Sequence, residues 1–234
     1  MSIQSKQVNS VNTDSRRARS EATKNALMRA AEKLIAERGV ENISIREIVS
    51  AAEQKNESAL QYHFKNLSGL LRAIHQQRSL QVQNQRSTML AELQATTPTP
   101  QLRQLCLLMI GPAFTLARND LDFRRYVKAF GHELAISEAS PLQQVSRHGG
   151  GGASGQQVND LLRAALPHLE DDAYRARMEA AIMLCSASMY HQARQKNAFR
   201  GRQADLFLAN LLDALVGLLG AAVSAEAKAL HNPE

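Results

Sequence analysis

Between Ser44 and Phe64 the chain carries two short helical patterns around a polar turn, and this pair constrains the fold more than any other stretch. Ser44 and Glu47 have the spacing of a capping box, in which each side chain satisfies the other residue's backbone amide. Ile45, Ile48 and Val49 then face one way. Glu53 to Asn56 break the pattern, and Asn56 is placed to cap a helix that reaches about Phe64. On that helix Ser58, Gln61, Tyr62 and Lys65 follow i, i+3, i+4, i+7, the spacing of one face. Leu60 and Phe64 lie on the other. A helix held by apolar groups on one side, with hydrogen-bonding groups and a cation on the other, suits the DNA major groove.

The remaining periodicity is helical. The pattern predicts a first helix over about Ser20 to Arg38, with Leu27, Ala30, Ala31, Leu34 and Ile35 inward and Gly39 as its stop. Aromatics are only 4% of the chain and no alternating stretch of useful length occurs, so the expected fold is all-α. Four segments are expected. Residues 1–19 form a disordered basic arm, 20–66 the helix-turn-helix unit, 67–97 a connector helix, and 98–234 an effector-binding and dimerisation domain. Thr96, Thr97, Pro98, Thr99 and Pro100 make the clearest break. Arg16, Arg17 and Arg19 read as an arm for the minor groove or as a solvated tail.

Charge placement supports a phosphate-facing N-terminal part. Residues 1–90 hold 14 Lys and Arg against 8 Asp and Glu, whereas residues 91–234 hold 14 of each. Only Cys106 and Cys185 occur, both inside apolar helical patterns, so buried reduced thiols and a cytoplasmic location are expected. Leu206 to Val223 is the most apolar stretch, but Asn210 and Asp213 interrupt it. A buried interface helix is the expectation, not a membrane span. The seven histidines lack metal-ligand spacing, and no nucleophile, base and orienter share a motif. No metal, cofactor or enzymatic activity is expected.

The order Ala30-Ala31-Glu32-Lys33-Leu34-Ile35-Ala36-Glu37-Arg38-Gly39, Ser44-Ile45-Arg46-Glu47-Ile48 and Tyr62-His63-Phe64 resembles the N-terminal domain of the TetR family of bacterial transcriptional regulators. Two positions depart from it: the family usually has Gly where Glu53 stands and often Lys where Leu67 stands. The resemblance implies a homodimeric, DNA-binding regulator, most often a repressor on a palindromic operator, released by a small hydrophobic or amphipathic effector. The alternative is a ligand-independent or partner-controlled DNA-binding protein whose C-terminal domain only dimerises. For DNA contact, Gln61 is a candidate for adenine readout and Ser58 for base or phosphate. Ala59 is placed for a thymine methyl or for the core. Tyr62, His63, Lys55 and Lys65 are candidates for phosphate, with a structural role equally open for His63. Arg46, Asn56 and Asn66 complete the set.

Downstream, Leu102 to Ala117 is apolar nearly all round, and Gly111-Pro112 should kink or interrupt it. Asp122 to Ile136 is amphipathic through Leu134. Met109, Phe114, Phe123, Phe130, Met183, Cys185 and Met189 lie on apolar faces that could line an effector pocket, or could be plain core. Arg118, Arg124 and His132 are candidates to meet an acidic ligand group, with a solvated charge the plainer alternative. Leu208, Leu211, Leu212, Leu215 and Leu219 are expected at a dimer interface. Gly150 to Gly155 formally matches G-x-G-x-x-G, but no strand precedes it, so a flexible surface loop is expected.

Overall fold

The computed structural model describes residues 4–133, 137–147 and 151–231, and among these every regular element is helical. The chain divides into two compact units, Met1–His75 and Gln76–Glu234.

In the first unit, α1 (Gln4–Arg38) is followed by a short 3-10 turn (Val40–Asn42), α2 (Ile45–Ala51) and α3 (Ser58–Phe64). α1 packs on both α2 and α3. Leu27, Ala31, Ile48, Leu60, Leu70 and Ile74 are almost fully buried. Each contributes about 1.5–3 kcal/mol relative to exposure, except the smaller Ala31. The helix expected to begin near Ser20 starts instead at Gln4 and runs through Arg16, Arg17 and Arg19. A disordered arm is therefore not what residues 4–19 form. No Pro or Gly precedes Gly39, so nothing in the backbone chemistry stops a helix there. Gly39 ends it at φ 83, and Asn42 donates its side-chain amide to the Arg38 carbonyl at 2.8 Å.

α4 (Leu67–Thr96) begins in the first unit and continues into the second. The second unit contains α5 (Leu102–Asn119), α6 (Leu121–Phe130), α7 (Pro141–Arg147), α8 (Gly152–Ala165), α9 (Asp171–Ala193), α10 (Gly201–Gly220) and α11 (Ala225–His231). Its core gathers Leu105, Cys106, Phe114, Phe123, Leu162 and Leu215. α5 is central and packs on α6, α8 and α10. It continues through Gly111 and Pro112, where the sequence leads one to expect an interruption. A Cβ on Gly111 would stand 2.7 Å from Met89 Cε, so the small residue admits the neighbouring helix. Arg177 closes the end of α10 by donating to the carbonyls of Leu219 and Ala222, both at 3.2 Å. A cation there also complements the helix dipole.

The glycine-rich segment is not a free loop over its described part. α8 starts at Gly152. Ser154 is buried and donates to the Gln83 carbonyl at 3.1 Å, while Arg86 donates to the Gly151 carbonyl at 3.1 Å. Small residues here let a helix start lie against α4, and G-x-G-x-x-G describes packing rather than a phosphate cradle. Leu134 and Gly150 lie outside the described residues.

Candidate nucleic-acid interface

The capping box predicted at Ser44 is present in full. Ser44 Oγ accepts from the Glu47 amide at 3.3 Å, and Glu47 accepts from the Ser44 amide at 2.8 Å. Arg38 of α1 adds a 2.8 Å ion pair to the same carboxylate. The Ser44 hydroxyl foremost, then the Arg38 guanidinium, hold the Glu47 carboxyl down to about 2. The start of α2 is thereby tied to the end of α1.

The turn after α2 is a Schellman motif. Gln54 N–H donates to Val49 at 2.9 Å and Glu53 N–H donates to Ser50 at 3.0 Å. That geometry places Glu53 at φ 56, a left-handed conformation that a side chain resists. A glycine, which the resemblance leads one to expect at this position, adopts that conformation without steric cost. Asn56 Oδ1 accepts from the Ser58 amide at 3.2 Å and from the Ser58 hydroxyl, so the polar turn orders the entry to α3. The helix boundary itself falls at Glu57, which supplies no side-chain cap.

α3 presents the two sides read from the sequence as far as Phe64, whereas Lys65, expected to continue the face, is the C-cap at φ 69 and lies past the helix. Leu60 and Phe64 are buried, whereas Ser58, Gln61, Tyr62 and Lys65 are exposed. Tyr62 is 81% exposed, far more than a ring of that size holds without reason to face outward. Arg46, Lys55, Asn56 and Asn66 are also exposed, and Ala59 is half-buried. His63 is half-buried, its ring edge-on to Tyr62 at 5.0 Å. Burial lowers its pKa, Lys24 reinforces the shift and Glu21 opposes it. The net shift favours the neutral ring. Asn66 plays a structural part, because its side-chain carbonyl accepts from the Gly69 amide at 2.9 Å and caps α4. A Cβ on Gly69 would overlap the Phe64 carbonyl oxygen, so the junction of α3 and α4 depends on glycine. The Asn66-x-x-Gly69 spacing carries that signal, which apolar periodicity by itself does not expose.

A trihelical unit whose third helix is held and presented in this way defines a helix-turn-helix DNA-binding protein. Residues 27–74 match the family described as bacterial regulatory proteins, tetR family, and the match lies wholly within the first unit. Residues 27–74 therefore form a DNA-binding domain of the tetR type, and the match covers about a fifth of the chain. No curated protein matches the sequence. Among solved structures, a candidate transcriptional regulator, SCO7518 from Streptomyces coelicolor A3(2), is 16% identical. It aligns over 85% of this chain and 99% of its own, with a TM-score of 0.44. GusR of Salmonella enterica is 18% identical over 85% of this chain and 96% of its own, with a TM-score of 0.41.

The candidate effector residues of the second unit differ in burial. Phe114, Phe123, Phe130 and Met189 are buried, Met109 and Cys185 are half-buried, and Met183 is 42% exposed. Burial raises the Cys106 thiol to about 11 and the Cys185 thiol to about 12, so both are protonated and unreactive. Arg118 is engaged by Asp205 at 2.5 Å and by the Phe114 ring at 4.9 Å. His132 lies 5.1 Å from the Tyr190 ring, and its buried Nδ1 has no hydrogen-bond partner among the described residues.

Of the leucines expected at a dimer interface, Leu211, Leu212, Leu215 and Leu219 are buried within the protomer and Leu208 is half-buried. They serve the protomer's own core because α10 packs on α5 and α9 through that side. The outward side of α10 carries Leu206, Asn210, Asp213, Ala214 and Gly217, and that of α9 carries Ala176, Ala180, Met183 and Ala187. α10 is the one helix among the described residues long and apolar enough by composition to cross a membrane, yet only 28% of its apolar window is buried. Among the described residues no three His, Cys, Asp or Glu side chains converge as metal ligands.

Proposed function

We propose that the protein is a homodimeric, ligand-responsive repressor that places α3 of each protomer in successive major grooves of a palindromic operator. The observation that carries this reading is the exposed row Ser58, Gln61 and Tyr62 on a helix whose opposite side is locked in the core, with Lys65 exposed at its C-cap. Gln61 reads a base edge, Tyr62, Lys55 and Lys65 meet phosphates, and Ala59 lies beside a thymine methyl when bound. The outward sides of α9 and α10 supply the dimer contact, since small residues there permit close helix approach. Dimerisation sets the separation of the two reading heads to about one turn of DNA. A small hydrophobic or amphipathic effector binds the second unit and favours a conformation in which the heads no longer match. A coupling of about 1–3 kcal/mol weakens operator affinity from severalfold to about a hundredfold. The protein acts in the cytoplasm as a binding protein without catalysis.

Selection of bound duplex from a random pool tests the reading. A two-fold symmetric site is expected, with affinity that falls steeply with salt and collapses on joint Gln61→Ala and Lys65→Ala substitution. Unchanged binding by the double variant, or no salt-sensitive duplex binding at all, overturns it.

A second reading keeps DNA binding and gives the second unit dimerisation alone. Burial of Phe114, Phe123 and Met189 within the packed core cluster favours it. Operator affinity that no small molecule alters would decide for this second reading.

A further inference from the structure

Five basic side chains from two distant stretches of the second unit converge on one cleft of about 290 Å³. Arg124, Arg125 and Lys128 come from α6, and Lys196 and Arg200 from the turn between α9 and α10, with Asn197 beside them. The rest of the lining is aliphatic. Residues 91–234 hold equal numbers of basic and acidic side chains with these five included, so the concentration of one sign is local. Like charges gathered in a concave site repel, and a bound anion removes that repulsion.

Arg125 has a carboxylate partner, Asp122, at 2.9 Å. Arg124 does not: its Nε is buried and has no acceptor among the described residues. Buried donors are ordinarily satisfied, so the Arg124 guanidinium gains a partner if a small shift of its side chain brings it onto an anion in the cleft. Guanidinium forks match carboxylate and phosphate oxygens in pairs, lysines add point charges, and Asn197 adds a neutral donor and acceptor. The volume suits a small molecule. No aromatic side chain lines the cleft, so it lacks the stacking platform by which single strands are held.

We propose that this cleft binds a small polyanion, a di- or tricarboxylate or a pyrophosphate-bearing molecule of similar size. The chemistry differs from that of the apolar effector, and the site stands independently of operator recognition.

Calorimetric titration of the DNA-free, full-length protein tests it, with citrate and inorganic pyrophosphate as probes and acetate at matched ionic strength as control. The expected result is saturable binding of one molecule per protomer by at least one probe, and none by acetate. Arg124→Gln combined with Lys196→Gln should weaken that binding by about tenfold or more. Lys128→Gln, at an exposed position, serves as a second variant, and thermal melting confirms that each remains folded. No saturable binding by either probe, or equal binding by the variants, overturns the proposal. So does displacement of the probe by mixed-sequence duplex, which would assign the cleft to a phosphodiester backbone. Loss of operator binding leaves this measurement unaffected, so the two readings fail separately.

Discussion

Glu53→Gly should stabilise this protein, although glycine normally weakens a fold. Glu53 occupies the left-handed position of the Schellman turn at φ 56, held there by the Gln54 to Val49 and Glu53 to Ser50 hydrogen bonds. An L residue in that region is disfavoured by about 1–2 kcal/mol. Glycine removes that cost but loses more chain freedom on folding, about 0.5–1 kcal/mol. The net gain lies between about 0 and 1.5 kcal/mol, with a middle value of about 0.75 kcal/mol, or about 1.5–3 °C in Tm for a chain of this length. Circular dichroism of thermal and urea unfolding reads the difference. Glu53→Ala is the decisive control, because it removes the same exposed carboxylate and keeps the Cβ. If the backbone strain is real, the glycine variant exceeds the alanine variant. Equal stability of the two, or a less stable glycine variant, refutes the reasoning.

Gly69→Ala should destabilise by about 1–3 kcal/mol and weaken duplex binding, since the new methyl must displace the Phe64 carbonyl at the end of α3. A variant melting like the parent would show that the junction yields easily. The depressed Glu47 carboxyl stabilises the fold above its ordinary pKa of 4.5, and that contribution fades as pH falls toward about 2. Urea midpoints should therefore separate parent from Glu47→Gln near neutrality and converge in acid; a constant gap would contradict the network. Tyr62→Ala should leave stability within about 0.5 kcal/mol while weakening duplex affinity, because the ring is 81% exposed. A large loss of stability would place the ring in the core instead. Met183→Arg, on the outward side of α9, should shift sedimentation from dimer toward monomer, and an unchanged dimer would move the interface elsewhere.

The all-α class, the capping box at Ser44 and the two sides of α3 are all legible in the amino-acid order. Each depends on contacts within a few residues, where helical spacing alone decides which groups are neighbours. Even the strain at Glu53 is visible as a departure from an expected glycine. What depends on packing between distant segments is not legible. The leucines of α10 read equally well as interface or core, because periodicity identifies an apolar side without naming what covers it. The glycine-rich segment reads as a loop because only its contact with α4 explains its small residues. Arg124, Arg125, Lys128, Lys196 and Arg200 are separated by as many as 76 positions, from 124 to 200, and only the folded chain brings them to one cleft. Local order in this protein follows from its residues, whereas the partner of each exposed or buried side is settled by which helices the chain stacks together.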